Sequence, residues 1–218
     1  MVELGEKAFR ARQLVAETVV APDGMLDAFE GLASLVDKSL LLQAEWVDDE
    51  PRYAMLETVR RYALERLMES EEYDTLRERH ALYYTWFAER CDRDQQGPEQ
   101  AASLDRMARE HDNLRAALDW STARAGRGEP DNINTGTTGP ADVAVRLAIA
   151  MHEFWETRGF LSEGRARLLP VLRAAEHASD RRAYARALFA AGRMAMLQRD
   201  DDAAAMYVEV LILPAPPK

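Results

Sequence analysis

Cysteine is nearly absent from this chain: Cys91 stands alone among 218 residues. A disulfide framework is thereby excluded, and with no second ligand at metal spacing Cys91 reads as a half-buried helix residue. Lysine is almost as scarce, 3 residues against 25 arginines, a codon bias of GC-rich bacterial genomes rather than a chemical signal. No stretch approaches the roughly 18 uninterrupted apolar residues of a membrane span. The opening MVELGEKAFRAR also lacks the basic-then-apolar plan of a secretory leader. The expectation is a cytoplasmic protein with no membrane partner.

The motifs of common chemistry are missing too. No G-x-x-x-x-G-K-[ST] loop occurs, so nothing cradles phosphates or places a lysine on them. His80, His111, His152 and His177 are far apart, and none has a second ligand four residues away on a helix. His80 and His111 fall on apolar helix faces, where a core histidine is the ordinary occupant. No G-x-S-x-G elbow is present, and Cys91 has no activating base nearby in sequence. Asp200, Asp201 and Asp202 fit a helix start, where carboxylates complement the dipole, better than a cation site. No catalytic residue, cofactor site, metal site or nucleic-acid-binding residue is assigned, and the chain is expected not to be an enzyme.

What is present is mostly helical periodicity. Leu26, Phe29, Leu32, Leu35 and Val36 form one apolar face between Met25 and Leu42. LLLQAEW and RYAML then read as two short strands around a five-residue turn, VDDEP. Val59, Tyr62, Ala63 and Leu67 make the next helical face, with Glu57 placed to pair with Arg61. Further on, a helix runs from about Tyr73 to Cys91. Leu104, Met107, His111, Leu114 and Leu118 recur at three and four as a single helix. The stretch 126–140, GRGEPDNINTGTTGP, is a flexible loop on composition. Pro140 suits the first turn of a helix that stops at Arg158-Gly159, and a comparable turn falls at Gln198-Arg199. That interval, about 40 residues, lies within the range of stacked helical hairpins.

The fold class is therefore mainly α, a partial winged-helix domain followed by an array of TPR-like helical hairpins. The expected organisation is winged helix over 1–70 with its wing near 40–56, linking helices over 71–125, the loop over 126–140, hairpins over 141–213 and a tail over 214–218.

LASLVDKSLL, RYAMLETVRRYALERL, LRERHALYYTWFAE and EHDNLRAALDWS follow one another here in that order. Together they resemble the region after the nucleotide-binding domain in bacterial STAND-type signalling ATPases and LuxR-like or SARP-like transcriptional regulators. WETRGFLSEGRARL resembles the first repeat of their helical region. The resemblance implies a non-catalytic regulatory and protein-interaction module in signal transduction, without the nucleotide-binding domain. Its partner would be another protein or the remaining domains of a parent ATPase. The alternative is a stand-alone winged-helix DNA-binding transcriptional regulator.

Residues 1–50 hold four bases against eleven acids, and the helix before the wing offers only Lys38, so DNA binding by this chain is not expected. The ending LILPAPPK looks like an array cut off. Val208, Val210, Leu211 and Ile212 are then the candidate interface, an exposed apolar patch for self-association or docking through the C-terminal helices. The other arrangement has this tail folding back over the core.

Overall fold

The computed structural model describes residues 25–47, 50–94, 97–127, 139–175 and 180–201, together with Ala203 and Ala205. Among them the chain is mainly helical, with one two-stranded antiparallel sheet. It divides into two compact units, Met1–Tyr83 and Tyr84–Lys218.

In the first unit, α1 (Met25–Asp37) ends in a tight turn, where Leu40 N donates to Leu35 O at 2.9 Å. Ser39 holds φ at 56°, a conformation that side chains other than glycine's rarely adopt. The turn delivers the chain into β1 (Leu41–Val47), which pairs with β2 (Glu50–Met55) in the register Leu41↔Met55 and Gln43↔Tyr53. The strands reach Val47 and Glu50, so the connection is shorter than the five-residue VDDEP turn read from the sequence. Strand pairing takes Val47 and Glu50 into the ladder, which local composition does not disclose. Helix α2 (Glu57–Met68) follows, and it has no buried residue. Tyr62 is 63% exposed and Ala63 is exposed as well, so the face expected from Val59, Tyr62, Ala63 and Leu67 is not closed.

Helix α3 (Tyr73–Asp94) runs from the first unit into the second, which continues through α4 (Gln100–Arg109), α5 (His111–Gly126), α6 (Pro140–Thr157), α7 (Leu161–Ala174) and α8 (Arg181–Leu197). The single helix expected over 104–118 is two. They break at Glu110, whose φ of −100° and ψ of 11° leave the helical range for the bridge region. Leu104, Met107, His111, Leu114 and Leu118 are all buried on either side of the break. Helix α5 packs on α6, α6 on α7 and α8, and α7 on α8. Their shared core holds Met107, Leu114, Leu147, Phe154, Trp155 and Met194.

Local chemistry explains the helix ends. Gly139 is extended and Pro140 occupies the first turn of α6, where its missing N–H has no intrahelical partner to lose. Asp180 caps α8, its Oδ1 accepting from Arg182 N at 3.0 Å and Ala183 N at 2.9 Å. Helix α7 lies close to its neighbours because position 164 is glycine. A Cβ there would come within 2.9 Å of both the Trp155 ring and Met194 Sδ.

Candidate functional site

The helix, hairpin and helix of the first unit form the first candidate surface. Helix α1 carries Asp27, Glu30 and Asp37 and no base, and Lys38 follows it, exposed. On α2 two of the three bases are tied to acids. Arg60 donates to both carboxylate oxygens of Glu57, at 2.7 and 2.8 Å. That pair forms three residues apart, in place of the Glu57–Arg61 pairing expected from the sequence, since the Arg60 fork meets the carboxylate in a bidentate fit. The hydrogen bond from Arg60 holds the Glu57 carboxyl below its ordinary range, and the same bond raises the guanidinium. Arg66 pairs with Glu69 at 2.9 Å and lies over the Tyr62 ring. Arg61 is exposed. Apolar side chains are also displayed, with Leu42 50%, Leu56 54% and Met68 60% exposed.

The second unit gathers its charged groups between helices. Glu163 on α7 accepts from Arg115 Nε at 2.7 Å and from Arg167 Nε at 3.1 Å. His111 is buried at the start of α5, with Nε2 3.2 Å from Glu163 Oε1 but off the line of a hydrogen bond. Its ring packs against both Phe154 and Phe160, with centroids 5.0 and 4.8 Å away, and those two rings stack on each other at 5.6 Å. Desolvation pushes the imidazole below its ordinary value, against the pull of the Glu163 carboxylate. The hydrogen bond from Arg115 holds Glu163 low in turn. A histidine held neutral beside a carboxylate paired with two arginines is a weak proton donor near neutral pH. The cluster joins α5 to α7. Arg167 also reaches Asp119, and Arg146 on α6 bonds Glu89 on α3 at 2.7 and 2.9 Å. These pairs span 48 and 57 residues, so no local pattern announces them.

The other singled-out residues take structural places. Cys91 is fully buried rather than half buried; Ser103 Oγ donates to its carbonyl at 2.8 Å, and desolvation raises its thiol. His152 Nδ1 contacts Ile149 O at 2.7 Å, and His80 is half-buried. Asp200 accepts from Ala203 N at 3.1 Å and from Arg165, so it caps a helix start. His177, most of the 126–140 loop, and Val208, Val210, Leu211 and Ile212 lie outside the described residues. Among the described residues no group of acids, histidines and cysteines could hold a metal, and no helix is long and apolar enough to cross a membrane.

Residues 11–68 match the winged helix-turn-helix domain family. The matched stretch takes in α1, both strands and α2. The chain is also 37% identical over 154 residues to proteins provisionally named HTH-type transcriptional regulators in Mycobacterium bovis and in two strains of Mycobacterium tuberculosis. That alignment covers 69% of this chain and 16% of those proteins, so the chain spans only a small part of the relatives it matches. No solved structure matches. A winged helix-turn-helix match weighs against the sequence expectation that the chain does not bind DNA.

Proposed function

We propose that this chain is part of a cytoplasmic transcriptional regulator, with a winged helix-turn-helix segment that contacts DNA and a helical-hairpin unit that docks protein partners. The observation that carries the reading is the winged helix-turn-helix match, supported by the strand register between α1 and α2 and by the named relatives. In such a domain the helix before the wing enters the major groove, and bases beside it bind phosphates. Lys38 at the end of α1 and Arg61 on α2, both exposed, are the residues assigned to phosphate contact. The hairpin unit is read as a TPR-like array, and Phe189 and Met196, exposed on α8, are the side chains it would offer a partner.

One observation favours a second reading. Helix α1 has three acids and no base, which suits a winged helix acting on other protein domains, as in a STAND-type ATPase module. Fluorescence anisotropy with labelled duplex DNA separates the two. Groove and phosphate contact predicts an affinity that weakens steeply with salt. Absence of binding at low salt favours the protein-facing role and removes the DNA-contacting one.

A further inference from the structure

Helix α8 differs in charge from its neighbours. It carries Arg181, Arg182, Arg186 and Arg193 and no acid, in a chain whose net charge is −10. Each of the other described helices holds at least one Asp or Glu. On its inner side α8 packs on α6 and α7, and Ala187, Ala191, Met194 and Ala195 are buried. On its outer side Arg182, Arg186, Phe189, Arg193 and Met196 are all exposed and recur at spacings of four, three, four and three. At 3.6 residues per turn these five fall within an arc of about 80° and form one stripe roughly 21 Å long. The spacing is that of a seam by which one helix receives another, with Phe189 and Met196 one seven-residue repeat apart and Arg186 and Arg193 likewise.

The fold does not consume the charge of this stripe. Arg193 uses only Nε, which donates to Glu156 Oε2 at 2.8 Å; its two terminal amines have no partner among the described residues. That bond steadies the side chain beside α6, and Glu156 is itself buried there. Arg182 and Arg186 make no side-chain hydrogen bond or ion pair among the described residues, and Asp92 on α3 acts on Arg186 only at longer range. Phe189 and Met196, each more than half exposed, place apolar surface in line with these bases. Single apolar side chains at a surface are ordinary. Two of them one repeat apart, interleaved with three free guanidinium forks, complement a helix that alternates apolar and carboxylate side chains.

We infer that the exposed stripe of α8 is a docking surface and that its occupant is an acidic amphipathic helix of a partner protein. Apolar side chains of that helix cover Phe189 and Met196, and its carboxylates, three and four residues apart, pair with Arg182, Arg186 and Arg193. The inference rests on the reading of the helical unit as a protein-docking module and adds the chemistry of what docks. It does not depend on whether the winged segment contacts DNA.

Fluorescence anisotropy of the full chain with three labelled, stapled helices of about five turns tests it. One carries leucines and glutamates in the matching seven-residue pattern, and in the other two glutamine or lysine replaces the glutamates. The acidic helix binds at least about ten-fold more tightly than the glutamine helix, weakens as salt is raised, and outcompetes the lysine helix, which does not bind. Changing Arg182→Glu and Arg186→Glu together weakens the acidic helix by about ten-fold or more and leaves Tm within about 2 °C. Equal binding of the acidic and glutamine helices, both weakened by Phe189→Ser, would keep α8 as a docking surface and overturn the acidic class of partner. Binding of none of the three would overturn the inference together with the docking reading of this face. A fall of more than about 5 °C in the Tm of the free F189S chain would show that the chain itself covers the stripe, and self-association abolished by the same change would give it to a second copy. Either result would overturn the inference as well.

Discussion

Gly159 and Arg199 occupy the same place in the same turn, with φ at 77° and 58°, and the residue after each bonds to the carbonyl five positions back. Only one of them is the residue that this conformation favours. Exchanging the types is therefore expected to have opposite effects. Gly159→Ala strains the turn and costs about 1 kcal/mol; Arg199→Gly relieves strain and stabilises by up to about 1 kcal/mol. Thermal melts of the two variants, moving about 2–4 °C down and up, check this.

Gly164 sets how closely α7 approaches α6 and α8. Its added Cβ would stand 2.9 Å from two atoms of the Trp155 ring and from Met194 Sδ. Methionine can shift, but the indole is fully buried and cannot. Gly164→Ala should destabilise by about 1–3 kcal/mol through overpacking. Adding Met194→Ala to it should lower stability further rather than restore it, because the ring contact stays and truncating a fully buried methionine leaves a cavity that costs about 2–5 kcal/mol. Urea unfolding midpoints of the single and double variants measure both effects.

The His111–Glu163 cluster predicts loss of stability in acid. Both groups have folded pKa values below their ordinary ones, so each binds protons more weakly in the folded chain than in the unfolded one. Their contribution is complete at high pH. It declines below about 6.5 as the unfolded histidine takes up a proton, and below about 4.5 as the unfolded glutamate does, until each folded value is passed. Asp92 works the other way, since desolvation raises its carboxyl, and it offsets part of the loss. Tm should therefore fall between pH 7.5 and pH 5, and His111→Gln should flatten that part of the profile.

Much of this fold is legible in the sequence, for identifiable reasons. The hairpin between α1 and α2 and the turn at Gly159 are announced by residues that do their work locally, an acidic connection and a glycine. The break at Glu110 is hidden because buried apolar residues at helical spacing continue on both sides of it. The partnership of Glu163 with Arg115 is hidden for another reason, since 48 residues separate the two and neither is unusual alone. Tyr62 shows the opposite failure: its spacing fits an apolar face, yet the ring remains exposed, with Arg66 lying over it. The acidity of α1 is plain in sequence but does not reveal the surface that meets it.

The central claim is that the winged segment contacts DNA, and a salt titration of the full chain on duplex DNA tests it most directly. Binding should weaken with a log–log slope of several units, and Lys38→Ala and Arg61→Ala should each reduce that slope by about 1. No binding at low salt, or binding whose slope is unchanged in both variants, would contradict the account.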